Sequence, residues 1–125
     1  MKNIINSSLA PKAIGPYSQA VLVDGFLFTS GQIGINPDTG KVVEGGIVNE
    51  THQVFKNLEA ILNKAGFSFN DVIKVTVFLS DIGNFKKFNE IYEKYLGDVK
   101  PARSTFQVGA LPLGCSVEIE LVAKR

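Results

Sequence analysis

The sequence predicts an α+β layer fold in which two amphipathic helices cover one face of a single β-sheet. Three observations predict it. Runs rich in branched and aromatic residues are interrupted twice by stretches of 3.6-residue apolar period, in the order βββ-α-β-α-ββ. An apolar content of 45 % over 125 residues is enough to fill a core and bury roughly two thirds of the unfolded surface. No repeat, linker or low-complexity tract divides the chain, so residues 1–125 read as one domain.

The elements follow in order. Phe26-Leu27-Phe28-Thr29-Ser30 reads as a strand paired in a hairpin with Ser18 to Val23 across the Asp24-Gly25 turn. Asn36-Pro37-Asp38-Thr39-Gly40 is a turn, because Pro fixes φ and Gly accepts positive φ, and Lys41-Val42-Val43 is a short third strand. Ile47, Thr51, Val54, Phe55, Leu58, Ile61, Leu62 and Ala65 then fall on one helical face, which Gly66 ends. Val72 to Leu79 is a branched-residue strand, with Ile73, Val75, Val77 and Leu79 expected on one face and Val72, Lys74, Thr76 and Phe78 on the other. Asn84 is placed to cap a second helix carrying Phe85, Phe88, Ile91, Tyr92 and Tyr95 before Gly97. Two strands close the chain, near Ser104 to Val108 and Ser116 to Ala123.

Composition excludes several functions. Thirteen Lys and Arg against twelve Asp and Glu give a net charge of +1 with no basic run, so nucleic acid is a poor partner. No stretch is apolar enough for a signal peptide or a membrane span, and the single cysteine suits a reducing compartment, so a cytoplasmic protein is expected. One Cys and one His make no structural zinc site, and no glycine-rich phosphate loop appears, so no metal or cofactor is expected. The second sheet face, with Val72 and Phe78, is too apolar for water and predicts cover by other subunits.

Three segments carry candidate chemistry. In Pro101-Ala102-Arg103-Ser104, a guanidinium where a Pro-bearing loop enters a strand can grip a carboxylate bidentately. In Val117-Glu118-Ile119-Glu120-Leu121, alternation puts both carboxylates opposite the core face; if that face lies against a neighbouring subunit, at least one of them sits beside Arg103 and could activate water. Spacing does not choose between Glu118 and Glu120. In Ile14-Gly15-Pro16-Tyr17-Ser18 and Ser30-Gly31-Gln32, Gly31 allows close backbone approach and Tyr17 can cap a small pocket. Cys115 lacks a base to activate it, and His52 borders an apolar helix stripe and reads as solvated.

These fragments, in this order and spacing, resemble the Rid/YjgF reactive-intermediate deaminases, most closely the RidA subgroup. Val75-Thr76-Val77-Phe78, Asn89, Asn36-Pro37 and Thr39-Gly40 extend the match over nearly the whole chain. The resemblance implies a chorismate-mutase-like homotrimer with active sites at subunit interfaces. It implies hydrolysis of 2-aminoacrylate, 2-aminocrotonate and their imines to 2-oxo acids and ammonia, without cofactor. Arg103 would hold the substrate carboxylate and Glu118 the attacking water; Tyr17, Ser30, Gly31, Gln32 and Asn89 take the family's pocket positions. Thr105 stands where many relatives carry Cys, keeping a hydroxyl and losing any thiol chemistry. Two other readings compete: a regulatory module that binds small acids without turnover, and an endoribonuclease or chaperone-like protein.

Overall fold

The computed structural model describes residues 1–125, and it is an α+β fold with two helices packed on a mixed sheet. The predicted hairpin forms from β2 (Ala20–Val23) and β3 (Phe26–Thr29), with Asp24 and Gly25 both at positive φ, as a tight two-residue turn requires. An unpredicted N-terminal strand, β1 (Asn3–Ile5), pairs with β2. The third strand also departs from expectation. Here β6 (Lys41–Val42) leaves the main sheet and makes a separate ribbon with β5 (Ile35–Asn36) across the Pro37–Gly40 turn. Its place beside the last strand is taken by β4 (Gln32–Ile33).

Helix α1 (Gly46–Lys64) buries the predicted stripe, and α2 (Phe85–Leu96) packs beside it. Neither is long and apolar enough to cross a membrane. Asn84 occupies the N-cap of α2 as expected, but its side chain makes no capping hydrogen bond. It also ends a 3-10 turn, Ile82–Asn84, in which Gly83 N donates to the Asp81 carboxylate and Ile82 N to Gln107 Oε1. Between the helices, β7 (Val72–Leu79) lies parallel to β8 (Ala102–Gln107), and β9 (Val117–Lys124) runs antiparallel to β7. The order across the sheet is β1-β2-β3-β9-β7-β8, with β4 also on β9.

The core lies between this sheet and the helices. Val75, Val77, Leu79, Val117, Ile119 and Leu121 meet Val54, Phe55, Leu58, Ile61, Phe88 and Leu96 there. The expected alternation in β7 fails at its first residues. A register shift between Val72 and Lys74 turns Val72 into the core and leaves Ile73 exposed. The outer face carries Phe28, Ile73 and Phe106, each about half exposed (46 %, 46 % and 52 %), which in a single chain leaves a broad apolar patch bare.

Polar side chains also tie the layers together. Asn57 of α1 donates to Ile33 O and Ile35 O, and Glu50, 5 % exposed, accepts from Ser116 N at 2.7 Å. Gly34 makes that docking close, since a Cβ there would meet the Glu50 Cα at 2.9 Å. Gly34→Ala should therefore push α1 off β4 and cost about 1–3 kcal/mol, read as a lower urea midpoint. An unchanged midpoint would mean that the helix seat is slack.

Candidate functional site

The side chain of Arg103 is aimed by the strand it occupies. Because β8 begins at Ala102, Arg103 lies within the strand and not in the preceding loop. Its register partner is Val75 and that of Thr105 is Val77, both fully buried core residues, so Arg103 and Thr105 face the helix layer. There Arg103 meets one stripe of α2. Nη1 donates to Asn89 Oδ1 at 2.7 Å, and Cζ lies 4.5 Å from the Tyr92 ring centroid and 5.4 Å from that of Phe85. Positions 85, 89 and 92 share a helical face, which is why one strand residue can touch all three.

No carboxylate accepts from this guanidinium. The half-buried cation keeps most of its N–H groups free, at the edge of a cleft of about 350 Å³ lined by Asn89, Tyr92, Glu93, Lys100 and Pro101, with Glu93 making no hydrogen bond to it. Burial pushes the Tyr92 phenol up from its ordinary pKa against the opposing pull of Arg103, so the ring stays neutral. The Tyr92 hydroxyl and the Thr105 hydroxyl are both buried without a partner in the chain.

Glu118 points the other way. It registers with Phe78 on β7 and Ile33 on β4, between the buried Val117 and Ile119, so it leaves the sheet on the outer face. Its carboxylate lies directly on Gly31: a Cβ there would overlap Oε2 and come within 2.8 Å of Cδ. Gly31 is therefore needed for room, not for an unusual φ. Tyr17, Ser30, Gly31, Gln32 and Glu118 line one cleft of about 410 Å³, with Lys12 at its side. The Tyr17 arm follows Gly15 at φ +122 and is held at its base by Gln19, which accepts from Ser7 N and donates to Ser7 O and Pro11 O. Ser30 Oγ donates to Ser18 O at 2.5 Å, pinning the strand end to the same arm. Burial, and then the neighbouring Glu120 charge, hold the Glu118 carboxyl above its ordinary pKa. Glu120 itself is exposed on the open face and does not line this cleft.

The eight predicted residues thus fall into two groups. Arg103, Asn89 and Thr105 gather on the helix side, and Tyr17, Ser30, Gly31, Gln32 and Glu118 gather in the other cleft. A glutamate is expected beside Arg103 only where a neighbouring subunit covers that face; within one chain, strand alternation sends the two to opposite faces.

Two further residues behave differently from expectation. His52 is not solvated: it is half-buried, its Nδ1 hydrogen-bonds the Tyr95 hydroxyl at 2.7 Å, and its ring meets that of Tyr95 edge-on. Tyr92 and Phe85 were legible only as core stripe, although their spacing around Asn89 was the available signal for contact with Arg103. Cys115 is 2 % exposed, and burial followed by Glu50 pushes its thiol up to about 11, which removes it as a nucleophile. No three His, Cys, Asp or Glu side chains converge to hold a metal ion.

A family model described as Endoribonuclease L-PSP matches residues 7–125. The chain is 50 % identical to the human 2-iminobutanoate/2-iminopropanoate deaminase over 98 % of its own length and 90 % of the relative's. A Yersinia pestis protein of the conserved Rid family superposes with a TM-score of 0.97 at 48 % identity, covering 100 % of both chains. Escherichia coli TdcF with bound serine superposes with a TM-score of 0.93 at 39 % identity, covering 98 % of both.

Proposed function

The chain belongs to the Rid/YjgF family, described also as Endoribonuclease L-PSP, and from that premise we propose that it is a deaminase of short 2-imino acids. The substrates would be the imine tautomers of 2-aminoacrylate and 2-aminocrotonate, and the products a 2-oxo acid and ammonia. The observation that carries this reading is the guanidinium of Arg103: half-buried, oriented by Asn89 and left without a carboxylate of its own. Such a group recognises a small carboxylate by paired charge-assisted hydrogen bonds. The serine bound in TdcF, a small amino acid carried on the same fold, supports the same ligand class.

The second half of the chemistry requires a neighbour. We assign the outer face to contacts between three copies of the chain, which would bury Phe28, Phe78 and Phe106. Each active site would then combine Arg103, Asn89 and Thr105 of one subunit with Tyr17, Ser30, Gly31, Gln32 and Glu118 of the next. Arg103 aligns the carboxylate, so that the adjacent C=N carbon faces a water held by Glu118. That water attacks the carbon and passes a proton to Glu118. Glu118 returns that proton to the nitrogen, giving the carbinolamine. The carbinolamine hydroxyl then passes its own proton through the same carboxylate to the amine as the C–N bond breaks, releasing the 2-oxo acid and ammonia. No metal, cofactor or covalent intermediate is required, because imines already hydrolyse in water and positioning supplies the acceleration. The source of such imines is dehydratase chemistry on serine and threonine, which suits a cytoplasmic site for this protein.

The near-neutral charge, without a basic stripe, opposes an RNA substrate despite the family's description. The test is direct. A dehydratase generates 2-aminoacrylate, semicarbazide traps the imine that survives, and the protein is expected to lower the trapped fraction in proportion to its concentration. Equal trapping with and without protein would refute the deaminase. Stoichiometric binding of serine in that case would favour a sensor of small acids.

A further inference from the structure

We propose that Tyr92 is the positioning residue of the carboxylate anchor, its ring face fixing the plane in which Arg103 presents its free N–H groups. The inference rests on the reading of Arg103 given above and deepens it. Asn89 holds the guanidinium at one nitrogen only, and one hydrogen bond leaves the group free to swing about that point. A second constraint is needed. The Tyr92 ring supplies it at 4.5 Å, closer than Phe85 at 5.4 Å.

The choice of an aromatic ring is chemically specific. A carboxylate in the same place would neutralise the cation and occupy the donors that substrate requires. A ring face attracts the cation through its quadrupole and takes no N–H at all. The ring is itself immobilised, being 6 % exposed, 5.6 Å from the Phe88 ring and edge-on to Phe55 at 5.9 Å. Core packing is thus transmitted to the guanidinium through one side chain. The tyrosine hydroxyl makes no hydrogen bond of full geometry within the chain, although Arg103 lies close enough to pull its pKa down against burial.

Three replacements at position 92 separate this role from packing. Tyr92→Leu removes the ring and should raise KM for the imine about five- to thirty-fold, with kcat changed less than about threefold. Pentafluorophenylalanine at position 92 keeps the ring's shape and reverses its quadrupole, so KM should rise while Tm holds. Tyr92→Phe keeps both ring and quadrupole and should restore the wild-type KM. A control, Phe67→Leu, loosens the same core away from Tyr92 and Arg103 and should lower Tm with KM unmoved. The Arg103 Nε–Hε resonance gives an activity-independent reading: it should be ring-current shifted in wild type and Tyr92→Phe, and return towards the free-arginine position in Tyr92→Leu.

A wild-type KM in both the Leu and the pentafluoro variants would overturn the proposal, as would an equal rise in KM for Phe67→Leu. Absence of turnover in the wild type would sink the deaminase reading instead, and the Nε–Hε shift would still decide whether Tyr92 holds Arg103.

Discussion

Arg103→Ala is expected to lower kcat/KM for 2-imino acids by about two to four orders of magnitude, the cost of two charge-assisted hydrogen bonds at about 1.5–3 kcal/mol each. The loss should be seen in the semicarbazide assay and not in stability. Arg103 makes a single side-chain hydrogen bond in the chain and is only half-buried, so its removal leaves Asn89 Oδ1 at a cleft that water reaches. Arg103→Lys should recover little of the activity. Lysine restores the charge but not the planar fork, and an ammonium cannot use the Tyr92 face and bond a carboxylate bidentately together. Full activity in Arg103→Ala would remove Arg103 from the site, and with it the basis on which the substrate class was chosen. Recovery by lysine would reduce its role to a point charge.

Why the helices and strands were readable, and the neighbours of Arg103 less so, follows from what a sequence encodes. The strands and helices were legible because their apolar periods, 2 and 3.6, are properties of neighbouring residues. Helix α1 appeared with its buried stripe as expected, and so did the α+β order. Register is not local. The bulge that turns Val72 inward and Ile73 outward depends on β9 across the sheet, and nothing in Val72 to Leu79 announces it. The same limit hid the face of Arg103. One residue's difference in where β8 begins decides whether its side chain alternates with the strand, and only pairing with Val75 fixes that. Lys41 and Val42 read correctly as extended but were given to the wrong sheet, because extended backbone does not name its partner. Glu50 and Asn57 lie outside the apolar period of α1, yet both are buried and bond backbone groups distant in sequence, which no local pattern announces. Glu118 and Glu120 alternate identically in sequence, and their different surroundings, the Gly31 seat of one and the open position of the other, emerge only in three dimensions.

Glu118→Gln provides the second large effect, an expected fall in kcat of about 10²–10³, the usual range for losing a positioned proton acceptor. Its pH signature gives the sign. The carboxylate must be ionised to take a proton from water, and burial with Glu120 beside it holds its pKa above the ordinary value. Activity should therefore fail, as pH drops, earlier than an unperturbed glutamate would dictate. Glu120→Gln removes the neighbouring charge and should move that acid limb to lower pH while sparing the plateau rate. The same raised pKa means that the folded state carries an ionised Glu118 at a cost above the unfolded pKa, so Glu118→Gln should unfold at a higher temperature at neutral pH than wild type. Gly31→Ala, which displaces the carboxylate without removing it, should reproduce the loss of kcat. The placement of Arg103 and Glu118 on opposite sheet faces adds a demand that no single-chain site would make. Refolding Arg103→Ala together with Glu118→Gln should regenerate intact sites from two inactive parents, at roughly a quarter of the wild-type activity for random mixing of cyclic subunits. Activity no greater than the sum of the parents would mean that each chain works alone, and that the two clefts are not halves of one site.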